Sequence, residues 1–217
     1  MPNMFRRSDT DPVQKSDRRV LPRDFIRRIK ALESSYLKHT DPILQSGFGG
    51  GEVRWRLERE PILNAVMSDG DFLDIGCANG YLLECLIAWS FEKGITLVPY
   101  GIDIGVRLIE LARRRFLRYS DHFFVAKAWN WVPQRRFKYV YTLRDYVPDN
   151  FLAKYVKKLL NSAVEPNGTL IIGAYGSYTE DYPAPNIAEI LREMAFPVTG
   201  SASVGTLPAA RFAWIDT

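Results

Sequence analysis

The chain has 217 residues, 47% of them hydrophobic and 25% charged, with a net charge of +4. That length fits one α/β domain with a buried core, and the composition excludes a wholly disordered or collagen-like chain. No apolar run approaches the roughly 20 residues that cross a bilayer, and the start, Met1-Pro-Asn-Met-Phe-Arg-Arg7, lacks the apolar segment of a secretory signal. Only Cys77 and Cys85 are present, without metal-site or redox-motif spacing, so a reduced, cytoplasmic setting is expected.

Residues 1–20 are polar and aperiodic and read as a mobile basic tail. Within residues 1–30, nine Lys/Arg face four Asp, so this arm carries more than the whole net charge. Acids interrupt it and aromatics barely interleave, which favours a solvated tail over a nucleic-acid footprint. From Leu21, Phe25, Ile29, Leu32 and Tyr36 fall at helical spacing, predicting a helix that ends near His39. Ser46-Gly-Phe-Gly-Gly-Gly51 is a break and a candidate hinge. A second helix is predicted from Glu52 to about Met67, restarted at Pro61. Residues 21–66 thus read as a helical cap, too small for a core of its own.

From Asp71 the strand and helix signals alternate. Strands are predicted at Phe72–Ile75, Leu97–Asp103, His122–Ala126, Phe137–Leu143 and Thr169–Tyr175. Helices are predicted at Gly80–Trp89, Val106–Leu117, Asn150–Ala163 and Pro185–Ala195. The last two strands, Val198–Val204 and Arg211–Asp216, have no helix between them and should form an antiparallel hairpin. Residues 67–217 therefore read as a doubly wound, mainly parallel seven-stranded α/β sheet with an antiparallel C-terminal hairpin, beneath the N-terminal helical cap.

In such a sheet the ligand crevice lies beyond the carboxyl ends of the strands, where strand order reverses. Asp74, Gly76, Ala78, Asn79, Gly80 and Asp103 should converge there. The small-residue turn admits a ligand to the backbone, and the helix behind it offers free N–H groups. Asp103 ends the next strand at the distance from which a nucleotide ribose is usually gripped. Gly76 and Gly80 are spaced GxxxG rather than the GxGxxG that suits a pyrophosphate, which disfavours a dinucleotide oxidoreductase. Asp74 should hydrogen-bond the turn N–H groups as well as face the cofactor.

These segments carry a resemblance. Asp74-Ile-Gly-Cys-Ala-Asn-Gly80 resembles the first motif of class I S-adenosylmethionine-dependent methyltransferases, Asp-x-Gly-Cys-Gly-x-Gly. Tyr100-Gly-Ile-Asp103 is similar to their acidic second motif, Phe137-Lys-Tyr-Val-Tyr-Thr142 to their fourth strand, and Val164-Glu-Pro-Asn-Gly-Thr-Leu-Ile-Ile172 to the entry of their fifth. The likeness spans about residues 70–217. It implies S-adenosyl-L-methionine as cofactor and S-adenosyl-L-homocysteine as product. It implies that Gly76, Cys77, Ala78, Asn79 and Gly80 form the turn beside the methionine and ribose, and that Asp103 accepts the ribose hydroxyls. Ile104 and Trp129 would flank the adenine, Ala128 would offer it a backbone N–H, and Leu143 would line the floor under the sulfonium.

The family pattern is broken in three places. Ala78 replaces a glycine and is tolerated at negative φ, Lys127 replaces an acid that meets the adenine amino group, and Lys138 replaces the Asp of the usual Phe-Asp. The implied activity is methyl transfer to an O or N atom of a small-molecule acceptor. An RNA or protein methyltransferase docked by the basic arm, and a non-catalytic cofactor-binding module, are the alternatives. Asp145 and Tyr146, after the fourth strand, and His39, before the glycine break, are the candidates for an acid-base role. The absence of Asn/Asp-Pro-Pro-Tyr argues against methylation of base amino groups. No acid occurs in Gly173-Ala-Tyr-Gly-Ser177, so no metal is expected. Tyr36, Phe48, Trp55, Trp129, Trp131, Tyr146 and Tyr175 could wall a pocket, with Trp131 better read as core. No membrane partner is expected, and the chain should be a monomer or homodimer.

Overall fold

The computed structural model describes residues 23–177, 182–205 and 209–217; of residues 23–26 and 28–30 the backbone alone is described. The basic tail at 1–20, the Leu21 start of the cap and the side chains of Phe25 and Ile29 lie outside this set. In chain order the regular elements are α1 (Arg23–Tyr36), α2 (Gly51–Arg59), β1 (Gly70–Ile75), α3 (Tyr81–Glu92), β2 (Leu97–Asp103), α4 (Val106–Arg115), β3 (Phe123–Val125), β4 (Phe137–Leu143), α5 (Asp149–Ser162), β5 (Val164–Tyr175), α6 (Ile187–Glu193), β6 (Gly200–Val204) and β7 (Ala210–Asp216).

The strands form one sheet in the order β3-β2-β1-β4-β5-β7-β6. The first five are parallel, while β7 runs antiparallel to both β5 and β6. This is the doubly wound sheet with a terminal antiparallel hairpin expected from the sequence. The chain steps outward from β1 to β2 and β3, then returns to β4 on the other side. The strand order therefore reverses at β1, and the crevice opens beyond Ile75.

Alternate strand residues serve opposite faces. Phe72, Tyr139 and Ile171 join one core with Leu83, Leu86 and Trp89 of α3. Their neighbours Leu73, Val140 and Ile172 join the other, with Leu152, Tyr155 and Leu159 of α5 and Leu191 of α6. The cap is part of the first core, because Ile43, Phe48, Trp55, Ile62 and Leu63 are all buried in it.

Two elements differ from expectation. The helix predicted across 52–67 stops at Arg59 and continues as a 3-10 segment, Glu60–Ala65, whose first turn holds Pro61. Proline has no N–H for the α ladder and clashes with the preceding turn, so the tighter winding follows. The fifth strand starts at Val164, five residues earlier than predicted. Its register against β4 breaks between Phe137 and Tyr139, opposite Pro166-Asn167-Gly168, where Asn167 takes φ +61°.

Candidate functional site

The turn after β1 is held from β2. The N–H groups of Gly76 and Cys77 both donate to Ile102 O, at 2.7 and 3.0 Å, and Gly80 N donates to Cys77 O at 2.8 Å. Gly76 sits at φ +88°, and a Cβ there would run into the Tyr146 hydroxyl. Ala78 takes φ +47°, not the negative φ under which an alanine is tolerated, so a Cβ-bearing residue is held in the left-handed region. The hold comes from Asp103: Oδ2 accepts from Ala78 N at 3.0 Å, and Oδ1 accepts from Gly105 N at 2.7 Å. The acid that ties the turn is thus Asp103, where Asp74 was expected.

Asp74 is instead a buried, unsatisfied carboxyl. It is 2% exposed, and Oδ2 has no hydrogen-bond partner among the described residues. Burial first, and the charge of Asp103 second, push its pKa up to about 8. Asn79 is fully buried; its Nδ2 donates to Pro42 O (3.0 Å) and Gln45 Oε1 (3.2 Å), and its Oδ1 accepts from Tyr81 N at the start of α3 (3.1 Å). Gly80, at φ +77°, lets α3 pass close to Ala112 of α4. The Cys77 thiol lies behind the turn against Gly101 and is pushed far up by burial, so it is no nucleophile.

A cavity of about 520 Å³ opens in front of the turn, within the range of small-molecule sites. Its lining includes Asp74, Gly76, Cys77, Ala78, Leu143 and Tyr146 around the turn. It also includes Phe48 and, from α2, Arg54, Trp55, Glu58 and Arg59, with Tyr175 at the end of β5. Glu58 is 3% and Arg59 8% exposed. Glu58 Oε1 accepts from Arg54 Nε and Nη2 at 3.1 and 2.9 Å, and Oε2 accepts from Arg59 Nη1 at 3.4 Å. The Arg59 guanidinium carbon lies 3.7 Å from the Tyr175 ring centroid, 4.7 Å from Phe48 and 5.0 Å from Trp55. The hydroxyls of Tyr141 and Tyr175 are 2.8 Å apart. From α1, Tyr36 lines the cavity, and Glu33 Oε1 accepts from Arg107 N at 3.0 Å, seating the helix over the start of α4 beside Asp103.

The acid-base candidates separate on placement. Asp145 is 65% exposed, pairs with Arg144 Nη1 at 3.5 Å and does not line the cavity. His39 is exposed and also outside it. A base must reach the proton it takes, and neither residue lines this cavity. Tyr146 does line the cavity, where burial and the nearby acids push its phenol far up, so at neutral pH it donates a hydrogen bond rather than accepting a proton. Asp103, Ile104, Ala128 and Trp129 lie outside the lining, as do Asn79 and Gly80. The strand leading to Ala128 is tied to Asp103, whose O accepts from Ala126 N at 2.8 Å, and the Trp129 ring packs edge-on to Phe151 at 5.0 Å. Of the aromatic residues expected to wall a pocket, Tyr36, Phe48, Trp55, Tyr146 and Tyr175 do so, whereas Trp129 and Trp131 pack with the α5 side of the sheet.

Arg54, Glu58 and Arg59 were missed as site residues because charged helix positions read as solvated. The available signal was spacing: Glu58 and Arg59 stand three and four residues after Trp55, on the face that an apolar Trp turns inward.

No family model and no curated protein sequence matches the chain. Solved structures do match its fold. A 1,6-didemethyltoxoflavin-N1-methyltransferase from Burkholderia thailandensis, with 1,6-didemethyltoxoflavin and S-adenosylhomocysteine bound, superimposes with a TM-score of 0.62 at 15% identity over 91% of each chain. A SAM-dependent methyltransferase from Aquifex aeolicus gives 0.55 at 18% identity, covering 84% of this chain and 97% of that one. Phosphoethanolamine N-methyltransferase 1 from Haemonchus contortus, with phosphoethanolamine and S-adenosylhomocysteine bound, gives 0.67 at 12% identity over 89% of this chain and 49% of its own. The fold is the α/β methyltransferase fold.

Proposed function

We propose that the chain is an S-adenosylmethionine-dependent methyltransferase acting on an O or N atom of a small molecule. The observation that carries this reading is Asp74: a buried carboxyl with an unpaired oxygen, facing a small-molecule cavity at the switch point of this sheet. A buried carboxyl left unpaired is costly, and a cationic ligand relieves it. S-adenosylmethionine, with a sulfonium and an ammonium against one carboxylate, fits that requirement. When bound it supplies a methyl group on sulfur, which an acceptor takes by in-line displacement.

The chain's own residues would position and enclose. Asp74 would hold the cationic methionine end, and the backbone at Gly76 and Ala78 would approach it without obstruction. The carboxylate of Asp103 has lone pairs left after serving Ala78 N and Gly105 N, and would accept the two ribose hydroxyls. Leu143 and Tyr146 would floor the reacting centre, with Ile104, Ala128 and Trp129 assigned to the adenine. Cys77, Asn79 and Gly80 would shape the turn from behind. Tyr146 stays a neutral phenol, and both Glu58 oxygens are engaged by arginines, so catalysis would rest on orientation and exclusion of water. Similarity in fold to enzymes solved with S-adenosylhomocysteine supports the reading.

Calorimetry with S-adenosylmethionine and S-adenosylhomocysteine on the wild type and Asp103→Asn tests it. The wild type should bind both, and the variant, keeping size but losing charge, should bind at least about tenfold more weakly. Equal affinity would contradict the ribose role of Asp103, and no binding by the wild type would remove the cofactor assignment.

A further inference from the structure

We infer that the methyl acceptor carries an anionic group, a carboxylate or a phosphate, received by the Arg59 guanidinium. This rests on reading the cavity as a methyl-transfer site, but its own basis is the Arg59 guanidinium and what surrounds it. Arg59 brings five N–H donors into a position 8% exposed, and its hydrogen bond among the described residues is one long contact of 3.4 Å to Glu58 Oε2. Glu58 cannot neutralise the site, because its other oxygen already serves Arg54 at 2.9 and 3.1 Å. Among the described residues, one carboxylate faces two guanidinium groups here.

The rings around Arg59 set what it can still bind. Tyr175 lies against the guanidinium at 3.7 Å from its ring centroid, with Phe48 and Trp55 within 5.0 Å. Aromatic neighbours hold a cation through their π faces but accept none of its strong N–H bonds. The edge of the guanidinium is what remains for a ligand, and its paired donors match the two oxygens of a carboxylate or phosphate. An ammonium-bearing group would instead meet two guanidinium groups set around the single Glu58 carboxylate. A neutral ligand would leave a buried cation undercompensated.

Both Arg59 and Asp74 act electrostatically on each phenol of the Tyr141–Tyr175 pair, whose hydroxyls are 2.8 Å apart. An acid suited to a cationic cofactor and a guanidinium suited to an anionic acceptor line one small-molecule cavity. Opposite charges on the two ligands would therefore each meet their complement.

The test uses the full chain loaded with S-adenosylhomocysteine and titrated calorimetrically with benzoate, phenylphosphate, benzyl alcohol and benzylammonium. Benzoate or phenylphosphate should bind at least about tenfold more tightly than the neutral and cationic probes, and the tighter of the two assigns the anion. Arg59→Gln should erase that preference while leaving S-adenosylhomocysteine affinity intact, and Arg59→Lys, keeping charge without the fork, should fall between. An anion preference undiminished in Arg59→Gln would overturn the proposal. Should Arg59→Gln fail to fold, the wild type decides alone, since equal affinity for benzoate and benzyl alcohol would also overturn it. If S-adenosylhomocysteine itself does not bind, the methyltransferase reading fails separately, and the same four probes on the unloaded protein still decide the anion site.

Discussion

Across the carboxyl ends of β1 and β2, Asp103 Oδ2 accepts the N–H of Ala78 at 3.0 Å while Ala78 stands at φ +47°. The carboxylate therefore holds an alanine where a Cβ is disfavoured by about 1–2 kcal/mol. Glycine would remove the clash but bring extra freedom to the unfolded chain, worth about 0.5–1 kcal/mol. Ala78→Gly is expected to stabilise the protein by up to about 1 kcal/mol, read as a higher urea midpoint with an unchanged slope. A lower midpoint would show that the side chain at 78 packs better than its backbone angle costs.

Asp74 makes the stability of the ligand-free protein depend on pH. Its folded pKa of about 8 lies above the ordinary value of 3.8, so between those values the folded chain holds a proton that the unfolded chain has released. Stability due to this group is accordingly full below about pH 4 and declines as pH rises toward 8. Asp74→Asn should flatten that decline, measured as melting temperature against pH. A cation beside Asp74 favours the ionised form, so binding S-adenosylmethionine at pH 7 should release a proton. Calorimetry in buffers of different ionisation heat detects this as a buffer-dependent binding enthalpy, which Asp74→Asn should abolish.

The Tyr141–Tyr175 pair gives a third measurement. Tyr175→Phe keeps the ring beneath Arg59 but removes one hydroxyl of the 2.8 Å contact, leaving the buried Tyr141 hydroxyl without that partner. A cost of about 1–2 kcal/mol is expected in chemical denaturation. A loss below about 0.3 kcal/mol would mean that water replaces the missing hydroxyl.

The cofactor side was readable because its determinants are local. A strand of buried apolar residues, a turn of small residues and an acid at the next strand end all fall between Gly70 and Asp103, and chain order alone brings Asp74 and Asp103 together. The division of labour between those acids was not readable. Which carboxylate reaches the Ala78 N–H depends on how β2 registers against β1, a tertiary fact. The acceptor side was hidden for a different reason. Glu58 and Arg59 belong to a helix whose charges look solvated in sequence, and Arg59 is covered by Phe48, eleven residues away, and Tyr175, more than a hundred away. Asp145 differs in the reverse direction: its place after β4 suggested the cavity, but its side chain is 65% exposed beside Arg144 and does not line it.

Asn79 joins the motif turn to the cap, and two substitutions separate its duties. Its Oδ1 accepts Tyr81 N, satisfying one of the free N–H groups at the start of α3, while Nδ2 ties down Pro42 and Gln45. Asn79→Ala loses all three bonds from a fully buried position and should cost about 2–3 kcal/mol. Asn79→Asp can still accept Tyr81 N, since Asp is as good a cap as Asn, but it turns a carboxylate oxygen toward the carbonyl of Pro42. Hydrogen exchange distinguishes the two functions. Amides across 43–48 should exchange faster in both variants, whereas the Tyr81 amide should lose protection in Asn79→Ala alone. Because Phe48 touches Arg59 and Gly47 touches Tyr36, loosening this segment should also weaken anion binding at Arg59 in both variants. Unchanged exchange across 43–48 in Asn79→Asp would show that the cap is held by its apolar contacts and that the tether to the turn is incidental.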